Sequence, residues 1–202
     1  MKKFFALVAV AAASLFLASQ AHAQFGVVAG LTSSKTNAVD AAKDVKNIAL
    51  YHAGVTYKFN LGAGFALQPS IIYQVKGAKI ENVGNTTPEQ LKTGFVEVPL
   101  SIQWGPDLLA FRPYAFAEPF VGYKISSFVY GDGDVFTEQL KNEMKKIEYG
   151  FGLGGGLEIA SHVQLSVQWF KNLGKFSDGG NVADKVKNSN FQGIKVSLAV
   201  LF

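Results

Sequence analysis

The sequence predicts an all-β fold: an eight-stranded antiparallel up-and-down barrel that crosses a membrane, with short turns at one end and long loops at the other. Three observations predict it. Apolar and polar residues alternate with period two along eight segments. The links between those segments are short and long by turns. The chain opens on an export signal and closes on an aromatic, Phe202, at the end of the alternating strand FQGIKVSLAVLF. Together they place the barrel in a bacterial outer membrane, with periplasmic short turns and extracellular long loops.

The first element is the signal. Lys2 and Lys3 form a positive start, Phe4 to Ala18 an apolar core, and Ala21-His22-Ala23 a small-residue cleavage site. Residues 1–23 are therefore expected to be a removable signal peptide and residues 24–202 the barrel domain. A retained N-terminal anchor is the alternative, and the short apolar core and the cleavage site oppose it. The chain has no Cys, which excludes a lipoprotein attachment site and a disulfide framework. Without Lys2 and Lys3 the 19 Lys+Arg fall to 17 against 15 Asp+Glu, a mature net charge of +2. No Lys/Arg cluster dense enough for nucleic acid occurs. After the signal no run approaches the ~20 apolar residues of a membrane helix. A chain that is 49% hydrophobic must then hide its apolar surface on one face of its strands.

Eight strands are expected, at Phe25–Thr32, Ile48–Phe59, Ala63–Lys76, Gly94–Trp104, Phe111–Ser126, Ile147–Ile159, Val163–Leu173 and Phe191–Phe202. The long links are Ser33–Asn47, Gly77–Thr93, Ser127–Lys146 and Gly174–Asn190; the short ones are Asn60–Gly62, Gly105–Ala110 and Ala160–His162. In the fourth strand Val96, Val98, Leu100, Ile102 and Trp104 share one face, while Glu97, Ser101 and Gln103 share the other. The other strands repeat this division. Alternation alone does not say which face points out, because a soluble cup would simply reverse it. Charges and aromatics favour the membrane. Lys58, Lys76, Glu97, Arg112, Glu118, Lys124, Glu148, Glu158 and Lys195 fall on the polar face. Aromatics of the apolar face lie near strand ends, as in the girdles at membrane interfaces. Phe25, Tyr57, Phe59, Phe65, Trp104, Phe111 and Phe202 are expected at the periplasmic rim. Tyr51, Tyr73, Tyr123, Tyr149 and Trp169 are expected at the outer rim.

The fifth and sixth strands complement each other. Gly150, Gly152, Gly154 and Gly156 share the inward face of the sixth, and Tyr114, Phe116 and Phe120 that of the fifth. Rings lying over glycines would fill a narrow lumen. A phosphate-cradle reading of GFGLGGG fails, because such a loop needs a strand, a turn and then a helix.

An eight-stranded barrel is just wide enough for side chains to fill. The inward charges are therefore expected to form a structural network: Glu97, Glu118, Arg112, Lys58, Lys124 and Lys195. A symmetric turn at Gly105–Ala110 would set Trp104 opposite Phe111 and Glu97 opposite Glu118. That would be a carboxylate pair needing a cation from across the lumen. A proton or ion relay is the functional alternative to a salt-bridge plug. No catalytic, cofactor or metal site is expected. His52 lies on an inward face and His162 in a turn, no His/Cys/Asp group has metal-ligand spacing, and no serine is joined to a histidine by a local motif. Gly131-Asp132-Gly133-Asp134 lacks the spaced ligands of a calcium loop. Thr137–Lys146 is expected to form a short loop helix.

The chain resembles the small PorT-like, "porin family" outer-membrane β-barrel proteins of the Bacteroidetes type. The resemblance rests on Phe25-Gly26-Val27-Val28-Ala29-Gly30, Tyr57-Lys58-Phe59, Leu67-Gln68-Pro69, Val96-Glu97-Val98-Pro99-Leu100, Arg112-Pro113-Tyr114, Gly150-Phe151-Gly152 and Gly155-Gly156. It implies an outer-membrane location and an eight-stranded barrel, without one activity. The expected role is non-enzymatic: structural, adhesive or surface-binding through the extracellular loops. The expected partners are outer-membrane lipid or lipopolysaccharide, the barrel-assembly machinery and a protein at the loops. A narrow pore or accessory component of a secretion or transport system is the alternative, and a lipid A-modifying enzyme the next.

Overall fold

A strand with one apolar and one polar face needs two different surroundings, and a closed barrel in a membrane supplies both while pairing every strand edge. The computed structural model describes residues 23–36, 45–46, 48–80, 89–108, 110–130, 147–173 and 191–202. The expected signal segment before Ala23, the loop helix at 137–146 and the 131–134 turn lie outside them. The described strands are β1 (Ala23–Thr36), β2 (Val45–Lys46), β3 (Ile48–Gly62), β4 (Phe65–Ile80), β5 (Glu89–Trp104), β6 (Phe111–Tyr130), β7 (Ile147–Ile159), β8 (Val163–Asn172) and β9 (Phe191–Leu201). Eight of them close a ring in which every neighbour is antiparallel. β1 joins β9 on one side and β3 on the other, and the β4–β5 pairing completes the circle. The two-residue β2 pairs only with the upper end of β4, at Val45↔Ile80.

The question left open by the alternation is answered by burial. Leu31, Ile71, Val98, Leu153, Leu165 and Leu198 are exposed on the outside, whereas Lys58, Lys76, Glu97 and Glu158 are buried inside. A barrel in water has the reverse arrangement; an apolar exterior around a polar interior fits lipid. Phe65, Trp104, Phe111 and Phe202 stand exposed at the short-turn end, with Trp104 56% and Phe202 69% accessible. The Phe65 and Trp104 rings lie 6.5 Å apart. Tyr51, Tyr123, Tyr149 and Trp169 are exposed at the other end. Phe59 departs from this pattern. It is only 3% accessible and packs 4.8 Å from Tyr57. Lys58 and Phe59 are both buried, so alternation fails just before the register shift between Asn60 and Gly62.

Several strands run further than the sequence suggests. β4 and β5 stay paired to Ile80↔Glu89, and β5 and β6 to Gln90↔Tyr130.

The β5–β6 hairpin is asymmetric. Leu108 and Phe111 exchange both backbone hydrogen bonds, at 3.0 and 2.7 Å, so the turn closes between them. Trp104 consequently faces Ala115, not Phe111, and Glu97 faces Gly122, not Glu118. The expected Glu97/Glu118 opposition is thus displaced by four residues along β6.

The β6–β7 contact follows the sequence. Tyr114, Phe116 and Phe120 face Gly156, Gly154 and Gly150. A Cβ on Gly154 or on Gly150 would stand 2.6 Å from the facing Phe116 or Phe120 ring, so each glycine makes room for one ring.

Candidate functional site

The candidate site is the lumen, which the inward side chains divide into layers. The lower layer, near the short turns, is built on Lys58 of β3 and Glu158 of β7, from opposite parts of the wall. Lys58 Nζ donates to both Glu158 oxygens, at 2.6 and 2.7 Å. Gln164 Nε2 donates to Glu158 Oε2 at 2.8 Å, and Arg112 Nη1 lies 3.6 Å from that oxygen. Arg112 also donates to Gln103 Oε1 and the Gly64 carbonyl, and its Nε lies 3.3 Å from the exposed Asp107 carboxylate. This lower lock spans the barrel.

The upper layer is centred on Lys76. Glu97, Gly122 and Glu148 occupy one row across β5, β6 and β7. Glycine in the middle lets the two carboxylates lean together, since a Cβ there would stand 2.9 Å from Glu148 Cγ and 3.0 Å from Glu97 Cγ. Lys76 Nζ bridges them, 2.6 Å from Glu97 Oε1 and 2.8 Å from Glu148 Oε1. Asn172 accepts from Lys76 at 3.2 Å and donates through Nδ2 to Glu148 Oε2. Three rings enclose the ammonium, with centroids 4.6 Å (Phe120), 5.2 Å (Phe170) and 5.4 Å (Phe95) away. Phe95, Phe120, Phe170 and Phe191 form the buried apolar cluster of the interior. The carboxylate pair anticipated from the sequence therefore exists with a different partner: Glu148 instead of Glu118.

Glu118 is placed below this lock, where Lys195 Nζ donates at 3.1 Å and Gln168 Nε2 at 2.9 Å. Lys124 is half-buried on β6 opposite Phe95. Between the locks lies a cavity of about 60 Å³ with a mixed lining, polar at Gln68, Ser70, Ser101, Glu118, Ser166 and Ser197 and apolar at Val28, Phe116 and Ala199.

Barrel closure also creates a grouping invisible in the sequence. His52, Gly30 and Ser197 share one row across β3, β1 and β9. With no side chain on Gly30 in the way, His52 Nε2 and Ser197 Oγ hydrogen-bond at 2.9 Å. His52 Nδ1 and Thr32 Oγ1 do so at 2.9 Å as well. The third member is a hydroxyl, so no carboxylate orients the ring or stabilises an imidazolium as in a hydrolytic triad. The sequence signal, in hindsight, was the inward Gly30 between two strands. Among the described residues no group of three or more His, Cys, Asp or Glu could hold a metal ion.

The family comparison agrees with this architecture. A family model described as "Outer membrane protein beta-barrel domain" matches residues 18–177. Among solved structures, the chain is similar to Neisserial surface protein A, at 16% identity over 88% of this chain and 97% of that one, with a TM-score of 0.49. It is similar to Ail, the attachment invasion locus protein of Yersinia pestis, at 10% identity over 90% and 99%, with a TM-score of 0.46. It is also similar to the outer membrane enzyme PagL, at 12% identity over 87% and 98%, with a TM-score of 0.47. No curated protein sequence matches. The family match covers well over half of the sequence, and the chain belongs to the outer membrane protein beta-barrel domain family.

Proposed function

We propose that this outer-membrane barrel is non-conducting and non-enzymatic, and that its role is carried by the extracellular links between its strands. The observation that supports this reading is the filled lumen. The Lys58–Glu158–Arg112 and Lys76–Glu97–Glu148 groups bridge it at two levels. A lumen crossed twice by ion-paired side chains leaves no continuous aqueous path for a solute. The lipid-facing wall is apolar and the periplasmic turns are short, so contact with a partner falls to the segments 37–44, 81–88, 131–146 and 174–190. The Lys, Asp, Asn and Ser content of residues 33–47 and 174–190 suits contact with lipopolysaccharide or with the polar surface of a protein. In this reading the barrel is a PorT-like anchor, exported by a signal peptide and inserted by the barrel-assembly machinery.

The test replaces those four segments with short turns. The shortened barrel should still insert in the outer membrane and keep its heat-modifiable gel shift. A strain carrying it should behave like a deletion strain, and the mass profile of lipid A should be the same with and without the protein. Full complementation by the shortened barrel would overturn the loop-borne role, and an altered lipid A mass would overturn the non-enzymatic one.

A further inference from the structure

The barrel wall has a defect, and it coincides with the central cavity. Five of the eight strand pairings run without interruption: β1–β3, β1–β9, β6–β7, β7–β8 and β8–β9. The other three each lack two residue pairs at mid-height, and β3–β4 and β5–β6 carry a further register shift nearer a strand end, at Asn60–Gly62 and Gly94–Phe95. The β3–β4 ladder breaks between Thr56↔Ser70 and Phe59↔Leu67, a gap containing Pro69. The β4–β5 ladder breaks between Pro69↔Leu100 and Ile72↔Glu97, a gap containing Pro99. The β5–β6 ladder breaks between Pro99↔Phe120 and Ile102↔Ala117, a gap containing Pro119. Proline has no N–H to give to a ladder and is ordinarily confined to sheet edges. A closed barrel has no edge, yet here three prolines stand on consecutive strands within one residue of a common level.

The seam lies at mid-height, between Phe65 and Trp104 below and Tyr73 and Tyr123 above. Backbone groups at that depth find no hydrogen-bond partner in the surrounding lipid. One side chain helps: Thr56 Oγ1 donates to the Pro69 carbonyl at 3.2 Å, and is itself held by Ser70 Oγ, which donates to it at 2.8 Å. The remaining supply is the cavity behind the wall. Gln68, Ser70, Ser101 and Glu118 line that cavity, and all four lie inside the ladder gaps. The space of about 60 Å³ has room for more than one water, and these four side chains offer it polar partners.

We infer that the cavity and the proline seam form one hydrated binding site for small uncharged hydrogen-bonding molecules, water foremost, reached through the β4–β5–β6 wall and not along the barrel axis. The axial route is closed by the two locks, as the sealed-lumen function proposed for the barrel requires. The selectivity against charge follows from the lining, whose one carboxylate, Glu118, is already neutralised by Lys195 at 3.1 Å.

The absence of Cys makes the test direct, because Ser101→Cys introduces a single thiol into this site. The folded variant in lipid vesicles is treated with methyl methanethiosulfonate, which is small and uncharged, and with its trimethylammonium-ethyl analogue, which is cationic. Thiol modification needs the thiolate, and hence water at the sulfur. The uncharged reagent should modify Ser101→Cys, and the cationic one should be about 100-fold slower, since it must be desolvated to enter. Adding Pro99→Val and Pro119→Val, which restores two ladder N–H groups, should slow the uncharged reagent about tenfold by suppressing local opening. Ser166→Cys, on the β8 side of the same cavity, should show the same selectivity, and the gel shift verifies that each variant is folded. A thiol inert to both reagents would overturn the hydrated site and leave the sealed lumen standing. Equal reaction with both would reveal an open axial pore and overturn both readings. Labelling unchanged by the Pro→Val pair would overturn entry through the wall.

Discussion

Lys76→Met should destabilise the folded barrel by about 3–5 kcal/mol, the usual consequence of removing one member of a buried ion-paired group. Methionine has a similar length and is apolar, so packing against Phe95, Phe120 and Phe170 is largely kept. What disappears is the cation. Its removal leaves Glu97 and Glu148 on either side of Gly122, two carboxylates with side-chain exposures of 0% and 8% and no counter-charge between them. The Asn172 amide still reaches Glu148, but one neutral donor does not replace an ammonium 2.6 and 2.8 Å from the two acids. Urea unfolding in lipid vesicles, followed by the fluorescence of Trp104 and Trp169, gives the measurement. Combining Lys76→Met with Glu97→Gln and Glu148→Gln should recover most of the loss, because a neutral hydrogen-bonded layer carries no buried net charge. A single variant as stable as wild type would show that the upper lock is held by its rings and not by its charges.

Glu158→Gln is the second large effect, expected at about 3 kcal/mol for the same reason. Glu158 is the acceptor shared by Lys58, Gln164 and Arg112. Arg112 keeps Asp107, Gln103 and the Gly64 carbonyl after the change. Lys58, with its side chain 2% exposed, loses the carboxylate that its ammonium grips with both oxygens. The effect should be smaller than that of Lys76→Met, because one charge is stranded instead of two. The double variant Lys58→Met with Glu158→Leu should be more stable than Glu158→Gln alone. If Glu158→Gln and Lys58→Met lose stability additively, the two residues are not coupled and the lower lock is not a unit.

Much of this architecture was legible in the sequence because its cause is local. Period-two alternation reports the two faces of each strand, and alternating link lengths report an up-and-down course. Gly150 to Gly156 opposite Tyr114, Phe116 and Phe120 follow from one hairpin register. The charged residues were legible as a set but not as pairs. Lys58 and Glu158 meet across the lumen although 100 residues separate them, and their relative height depends on the tilt and stagger of the whole barrel. The Glu97 partner was misassigned because the β5–β6 turn closes between Leu108 and Phe111 instead of at the centre of its link. The proline seam was visible as three separate prolines. Only the ladder registers bring Pro69, Pro99 and Pro119 within one residue of a common level.

If two ion-paired layers seal the lumen, the seal is read out by planar-bilayer recording of the purified wild-type barrel. The expected recording is a quiet baseline with no unitary currents at either polarity. Stable, reproducible unitary currents from the wild-type protein would contradict it.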